Sequence, residues 1–341
     1  MGVTIKQIAE MADVHRSTVD KVIHQREGVS DEVRERVQKI IDDCGYQTNP
    51  IGKALKMQDK KLEIGVILLI VDALPYLKNG IENALKQYQS FQISLDFKEL
   101  VFTDVAGQAR MLQYYRNQKK DGIILMPLES PEVLREIDAC DQAGIPVVTV
   151  NTDIKNSKRM CYVGEDGFKA GKIAGRLMGE FLGGTGKVAV FTSNIDKWQS
   201  FSFGNRESGF QKVIWESYSK IALLPSILTS ESSHVLYMRV KELLKNEPDV
   251  DGIFITAGGV KGAGDALKES GNEKIKLICF ENYAEILRLL EEEVVTATLD
   301  SKTTEQGMRG FQVLMDFLIY NRKPVRKHLY LENLIMVKES L

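Results

Sequence analysis

The chain has little of the chemistry from which most catalytic and metal sites are built. Its four cysteines, at 44, 140, 161 and 279, form no CxxC pair and no even framework, and its four histidines are scattered, so neither a disulfide scaffold nor a zinc site is expected. No GxSxG elbow and no HExxH pair occurs. The longest apolar run, Ile64 to Val71, is far too short to span a bilayer, and the N-terminus lacks a basic region followed by an apolar core; a cytoplasmic location without membrane contact is expected. A formal net charge of −2 points to no bulk binding of polyanions. The glycine-rich stretches make no nucleotide site either. GGTGK at 183–187 precedes a strand pattern instead of following one, and AGGVKGAG at 257–264 lacks the further glycine that would complete GxGxxG. An enzyme, a cofactor and a metal are therefore not expected.

What the chain does have begins with a helical pattern. Thr4 stands at an N-cap position, Gln7 completes a capping box three residues later, and Ile5, Ile8 and Ala9 form an apolar stripe, which predicts a short helix ending near Met11. Ala12-Asp13-Val14 has the length of a tight turn. From His15 to Ile23, the spacing turns Val19, Val22 and Ile23 inward and leaves Arg16, Ser17, Asp20 and Lys21 on a polar face. Ser30 is placed to cap a third helix, with Asp31 and Glu32 in its dipole-favoured first turn and Val33, Val37, Ile40 and Ile41 on its buried side, ending at Cys44-Gly45. Such a trio closes a small core and frees the second helix to enter a DNA major groove, where Arg16, Ser17 and Lys21 are the natural base readers. Residues 1–60 hold ten basic and ten acidic side chains, so the attraction must come from a cluster, read as Arg16, Lys21, Arg26, Lys53 and Lys56.

The runs TIKQIAEMADVHRSTVDKVI, VSDEVRERVQKIIDDCGYQTN and PIGKALK resemble the DNA-binding headpiece and hinge of the LacI family of bacterial repressors, from Val3 to Lys56. The resemblance implies that Arg16, Ser17 and Lys21 read bases, that Thr4 and Thr18 belong to the DNA contact with Thr18 on phosphate, and that Leu55, flanked by Asn49 and Lys53, wedges into the minor groove from a hinge helix. It further implies a homodimer on a pseudopalindromic double-stranded operator. His15 and Asp20 stand where the family has serine, Thr48 where it has proline, and Pro50 and Gly52 where it has alanine, so the family's operator sequence is not carried over.

From Leu62 onward strand and helix patterns alternate. IGVILLIV (64–71), DGIILM (121–126), PVVTV (146–150), KVAVF (187–191), DGIFI (251–255), IKLICF (275–280) and VVTATL (294–299) read as buried strands. Amphipathic segments such as 80–88, 108–117, 168–181 and 235–244 lie between them. This is the pattern of an α/β core of two doubly wound parallel-sheet lobes. GIPVVTVNTD, YVGEDGFKAGKIAG, GNRESGF and TATLDSKTTEQG resemble the periplasmic-binding-protein-like core of the same family, its ribose-type subset above all.

The expected organisation is a helix-turn-helix headpiece over 1–47, a hinge and linker over 48–61, and an effector-binding and dimerisation core over 62–341. Within the core, the first lobe takes residues 62–161 and 300–322 and the second takes 162–299 and 323–341, with crossings near Tyr162, Asp300 and 322–328. In such folds ligand binds outside the C-terminal ends of the strands. Asn151, Asp153, Arg206, Glu281 and Ser301 fall at or after such ends, and Tyr76, Trp198 and Phe203 are the aromatic candidates for covering a sugar-like effector. Ala257 and Gly258 replace an Asn-Asp pair usual in relatives, which argues against a standard aldopentose. The reading is a ligand-responsive transcriptional regulator, with a transport solute-binding protein as the alternative.

Overall fold

A computed structural model of the chain describes residues 3–23, 26–44, 57–193 and 201–341, the side chains of 201 and 202 excepted. The chain divides into two compact units, Met1–Lys56 and Met57–Leu341.

In the first unit, helices α1 (Ile5–Met11), α2 (Arg16–Ile23) and α3 (Asp31–Asp43) follow one another. The capping box at the start of α1 is formed: Gln7 N donates to Thr4 Oγ1 at 3.3 Å, and Thr4 N donates to Gln7 Oε1 at 2.9 Å. The turn into α2 contains no glycine. Asp13 instead takes the left-handed conformation, φ 49°, which aspartate enters more readily than most residues. Ser30 precedes α3 in extended conformation, but its side chain makes no capping hydrogen bond, contrary to expectation; Asp31 and Glu32 supply the favourable charge in the first turn. Ile8, Ala9, Ala12, Val19, Val22, Val37 and Ile41 are buried together as the core that fixes the three helices.

The second unit contains two sheets. In the first, β2 (Ile93–Leu100), β1 (Leu62–Leu69), β3 (Gly122–Leu125), β4 (Val147–Val150), β5 (Cys161–Glu165) and β12 (His328–Leu331) lie in that spatial order, all parallel. In the second, the order is β7 (Lys220–Leu223), β6 (Thr185–Ser193), β9 (Gly252–Ile255), β10 (Lys276–Phe280), β11 (Ala297–Asp300) and β13 (Leu334–Met336), with β13 antiparallel; β8 (Ile227–Thr229) pairs with the far end of β6. Helices α4 (Leu74–Leu85), α5 (Val105–Asn117), α6 (Pro131–Gln142) and α12 (Thr303–Tyr320) belong to the first lobe. Helices α7 (Gly167–Phe181), α8 (Phe201–Ser217), α9 (Ser233–Asn246), α10 (Val260–Ser270) and α11 (Ala284–Glu291) belong to the second.

Central strands read as unbroken apolar runs because helices cover both faces. In the second lobe Phe254 and Phe280 turn to one face, where Phe210 of α8 stacks on Phe254 with ring centroids 4.3 Å apart. Ile253, Ile255, Leu277 and Cys279 turn to the other face. That alternation is the two-residue period of a strand.

Two of the expected crossings move. β5 continues through Glu165, so the chain leaves the first lobe at Asp166 and not near Tyr162. β12 pairs in parallel with β5, which keeps 328–331 in the first lobe and puts the last crossing at Glu332 and Asn333, past the expected 322–328. The remaining crossing is at Ser301 and Lys302, beside the expected Asp300. The first helix of the core also starts earlier than the 80–88 pattern, at Leu74 with Pro75 in its first turn.

Candidate functional site

The headpiece presents a polar start to α2. Arg16 and Ser17 are exposed and Thr18 and Lys21 partly so, while Val19 and Val22 of the same helix are buried. His15 occupies the position before the helix. Its Nδ1 accepts from Ser17 N at 3.3 Å and lies 2.8 Å from Ser17 Oγ, so a residue foreign to the family's usual serine acts as a local cap. Asp20 is offset by a neighbour: Arg26 Nη1 donates to its Oδ2 at 3.3 Å, and Arg34 in turn holds the Arg26 carbonyl at 2.7 Å. Arg26, expected in the DNA-facing cluster, is thus partly committed within the headpiece. Thr4 is exposed but engaged in the capping box. Asn49, Lys53 and Leu55, and with them the hinge, lie outside the described residues.

In the core, the C-terminal ends of both sets of strands face one cavity of about 500 Å³. Tyr76, Asn151, Asp153, Phe203, Arg206, Glu281 and Ser301 all line it. Trp198 lies outside the described residues.

Arg206 is the centre of the arrangement. It sits on α8, which packs so closely on α7 that only a glycine, Gly171, fits opposite its backbone. Arg206 Nε donates to Glu165 Oε1 at 2.5 Å, Nη1 to the Thr256 carbonyl at 2.7 Å and Nη2 to Glu281 Oε1 at 3.2 Å, and the guanidinium lies 3.6 Å from the centroid of the Phe280 ring. These bonds use three of its five N–H donors. Burial works against its charge, but the Glu165 and Glu281 carboxylates outweigh that and raise its pKa. Glu281 in turn is raised by burial, partly opposed by Arg206, and accepts from Ser301 Oγ at 2.8 Å and Thr303 Oγ1 at 2.9 Å. Asn333, at the last crossing, donates to the second oxygen of Glu165 at 2.8 Å. One buried guanidinium therefore joins the ends of β5, β9 and β10, and through Ser301 the crossing into α12.

Gln306, buried on α12, ties the remaining candidates together. It donates to Ser301 Oγ at 2.9 Å and accepts from Asn151 Nδ2 at 3.2 Å. Asp153 plays a different part from the one expected. It lines the cavity, but both its oxygens are taken by the fork of Arg159 and one also accepts from Thr149 Oγ1 at 2.9 Å, so it holds the loop after β4 in place.

The structure adds residues that strand-end reasoning missed. Asp72, Glu165, Glu231 and Tyr283 line the same cavity. Tyr283 stacks on Tyr76 with centroids 4.3 Å apart, and Tyr76 Oη accepts from Ala284 N at 3.4 Å, so an aromatic pair bridges the two lobes. Asn151, Glu231 and Glu281 hold φ values of 64°, 58° and 78°. Left-handed backbone at non-glycine residues costs on the order of 1 kcal/mol each and concentrates at functional sites. Two glycines of AGGVKGAG are accounted for by packing: Gly262 meets the Ser233 carbonyl and Gly264 the Leu289 side chain. Among the described residues no group of His, Cys, Asp and Glu is arranged to hold a metal, and no helix is long and apolar enough to cross a membrane.

Comparison with known proteins bears on both units. Residues 4–49 match the family model of bacterial regulatory proteins, lacI family, and residues 73–322 match that of a periplasmic binding protein domain. Over 99% of its length the chain is similar to the ribose operon repressor of Haemophilus influenzae, 24% identical with 98% of that protein covered. It is 28% identical to the transcriptional regulator MalR of Clostridium butyricum, over 76% of this chain and 78% of that one. The crystal structure of GanP, a glucose-galactose binding protein from Geobacillus stearothermophilus, has the same core fold, with a TM-score of 0.74 and 23% identity over 83% of this chain and 99% of that one. The chain belongs to the periplasmic binding protein domain family through its core, carries a headpiece that matches the lacI family of bacterial regulatory proteins, and is a DNA-binding transcriptional regulator.

Proposed function

We propose that the protein is a cytoplasmic, homodimeric repressor whose operator affinity is set by a small polyhydroxylated ligand held in the cleft between the lobes. The observation that carries this reading is the Arg206 cluster: a guanidinium fixed by Glu165 and Glu281 lines a cavity also lined by Asn151, Ser301, Tyr76 and Phe203, in a chain that begins with a helix-turn-helix. Directional donors and acceptors beside aromatic faces suit a hydroxylated ring. The sugar names of the Haemophilus influenzae and Geobacillus stearothermophilus relatives support the same ligand class.

One headpiece reads one half-site, so a two-fold pair of chains on a pseudopalindrome is the physical expectation. Arg16, Ser17 and Lys21 are assigned to base edges, Thr18 and Thr4 to the DNA backbone, and Leu55 with Asn49 and Lys53 to the minor groove at the hinge. Ligand changes operator affinity only through unequal affinity for two arrangements of the lobes. Strands that join both lobes to a shared Arg206 network supply a route for that change. No catalytic role is assigned to any residue.

The test is selection of duplex sites from a random-sequence pool with the full chain, followed by thermal-shift screening of sugars, polyols and sugar acids. Enrichment of a palindromic site and stabilisation by at least one screened compound are expected. Ligand stabilisation with no enriched DNA site would favour the solute-binding alternative.

A further inference from the structure

Two carboxylates that no ion pair neutralises among the described residues meet in the cleft from opposite lobes. Asp72 follows β1 in the first lobe, and Glu231 follows β8 in the second, held in left-handed backbone with its Oε1 accepting from Gly258 N at 3.2 Å. Gly258 stands in the turn after β9. An atom placed as a Cβ on this glycine would sit 2.8 Å from Glu231 Oε2 and 3.4 Å from Asp72 Oδ2. That position is bonded to the Gly258 Cα and so holds no ligand atom itself, but its distances place the two carboxylate oxygens close enough for one donor group in the cleft between them to reach both, and a side chain at 258 would intrude on that gap.

The cations that line the cavity are committed elsewhere. Arg206 bonds Glu165 and Glu281, and Lys261 Nζ bonds Asp265 at 2.6 Å. Once both carboxylates are ionised, as an adjacent cation favours, they are acceptors only. A ligand hydroxyl between the two oxygens brings one O–H and satisfies one of them. An ammonium brings several N–H donors and the opposite charge, and satisfies both.

We propose that the effector carries a protonated amine, as an amino sugar or aminated polyol does, and that its ammonium is held between Glu231 and Asp72 beside Gly258. The proposal rests on the cleft being the effector site. Burial, and after it the Asp72 carboxylate, raises the Glu231 carboxyl to about 7, so a cation bound beside it would favour its ionised form. The pairing also gives the two lobes a shared partner, so that an amine draws Asp72 and Glu231 together where a neutral ring does not.

The experiment is calorimetric titration of the full-length protein near neutral pH with matched pairs that differ by one amine: D-glucose against D-glucosamine and D-galactose against D-galactosamine. The amino member of at least one pair is expected to bind about tenfold tighter or more, the difference between a charge-assisted and a neutral hydrogen bond. Glu231→Gln and Asp72→Asn are each expected to reduce that ratio to about twofold or less. Gly258→Ala, which removes neither charge but sets a methyl against Glu231 Oε2, should reduce it as well. Equal or tighter binding of the neutral members overturns the amine inference and leaves the sugar-effector reading standing, as does an amine preference that survives in both carboxylate variants. Failure of every member of both pairs to bind overturns the amine inference for hexoses of this kind, and the sugar-effector reading falls only if the wider thermal-shift screen of sugars, polyols and sugar acids is also silent.

Discussion

Tyr76 of the first lobe and Tyr283 of the second stack with ring centroids 4.3 Å apart and planes 18° from parallel, joining the lobes over residues that line the cleft. Aromatic pairs of this geometry contribute about 1 kcal/mol beyond the area they bury. Tyr76→Ala removes the pair while leaving the Arg206 network intact. Ligand affinity is expected to fall about fivefold, with operator affinity in the absence of ligand changed by less than twofold; calorimetry and fluorescence anisotropy on the same preparation read the two quantities. Unchanged ligand affinity would make the stack incidental to closure.

Arg206 is nearly fully buried and is the shared partner of two carboxylates, the buried Glu165 and the partly buried Glu281. Removing it leaves Glu165 and Glu281 without their counter-charge, a loss of about 3–5 kcal/mol for a broken buried pair. Arg206→Ala is therefore expected to lower the urea midpoint of the core transition and to abolish ligand stabilisation, while the headpiece transition stays in place. The double variant Arg206→Met, Glu165→Gln should recover part of the lost stability and none of the ligand response. Recovery of both would mean that Arg206 serves packing alone.

Glu231 gives the core a pH signature. Burial, with Asp72 adding to it, lifts its carboxyl from the ordinary 4.5 to about 7. The folded value is above the unfolded one, so the native state binds the proton more tightly; the contribution is fully present below about pH 4.5 and is lost as pH rises through about 7. The melting temperature of the ligand-free protein, taken relative to Glu231→Gln, is expected to fall between about pH 5 and about pH 8. Parallel curves for the two proteins would contradict this.

In the headpiece, the Asp20 carboxylate offsets Arg26 at 3.3 Å. Asp20→Asn restores the full positive charge of that corner without removing a side chain. Overall affinity for non-specific duplex is expected to rise, and the slope of log K against log salt to steepen by up to about 0.9, one more phosphate neutralised. An unchanged slope would place Arg26 away from the DNA backbone.

How much of this was legible in the sequence depended on the regularity of the signal. The headpiece helices follow from the Thr4–Gln7 capping box and from Ile8, Val19, Val22, Val37 and Ile41 at helical spacing, and those residues are the buried ones. Central strands such as Val147–Val150 were readable because both faces are covered. Edge strands were not. β2 carries Asp96, Lys98 and Glu99 among its apolar residues, and β12 is largely exposed, which is why the last lobe crossing was expected too early. Arg206, Asn151, Glu281 and Ser301, which line the cavity, are legible as candidates because they sit at or just after readable strand ends or in a matching motif. Asp153 also follows a readable strand, but its partner Arg159 lies six residues on in an irregular loop, and no period announces that pair. Glu231 was missed for a related reason: β8 has three residues, too few to mark the end at which Glu231 stands.

The central claim is that occupancy of the cleft changes operator affinity. Its most direct measurement is the operator Kd of the full-length protein, on the palindrome selected from random duplex DNA, with and without saturating D-ribose, D-galactose, D-glucosamine and myo-inositol in separate titrations. At least one of these is expected to shift the Kd between about 5-fold and about 150-fold, the usual range of coupling between two sites, and the shift should vanish in Arg206→Ala. A Kd that none of them moves, or a shift that persists undiminished in Arg206→Ala, would contradict the account.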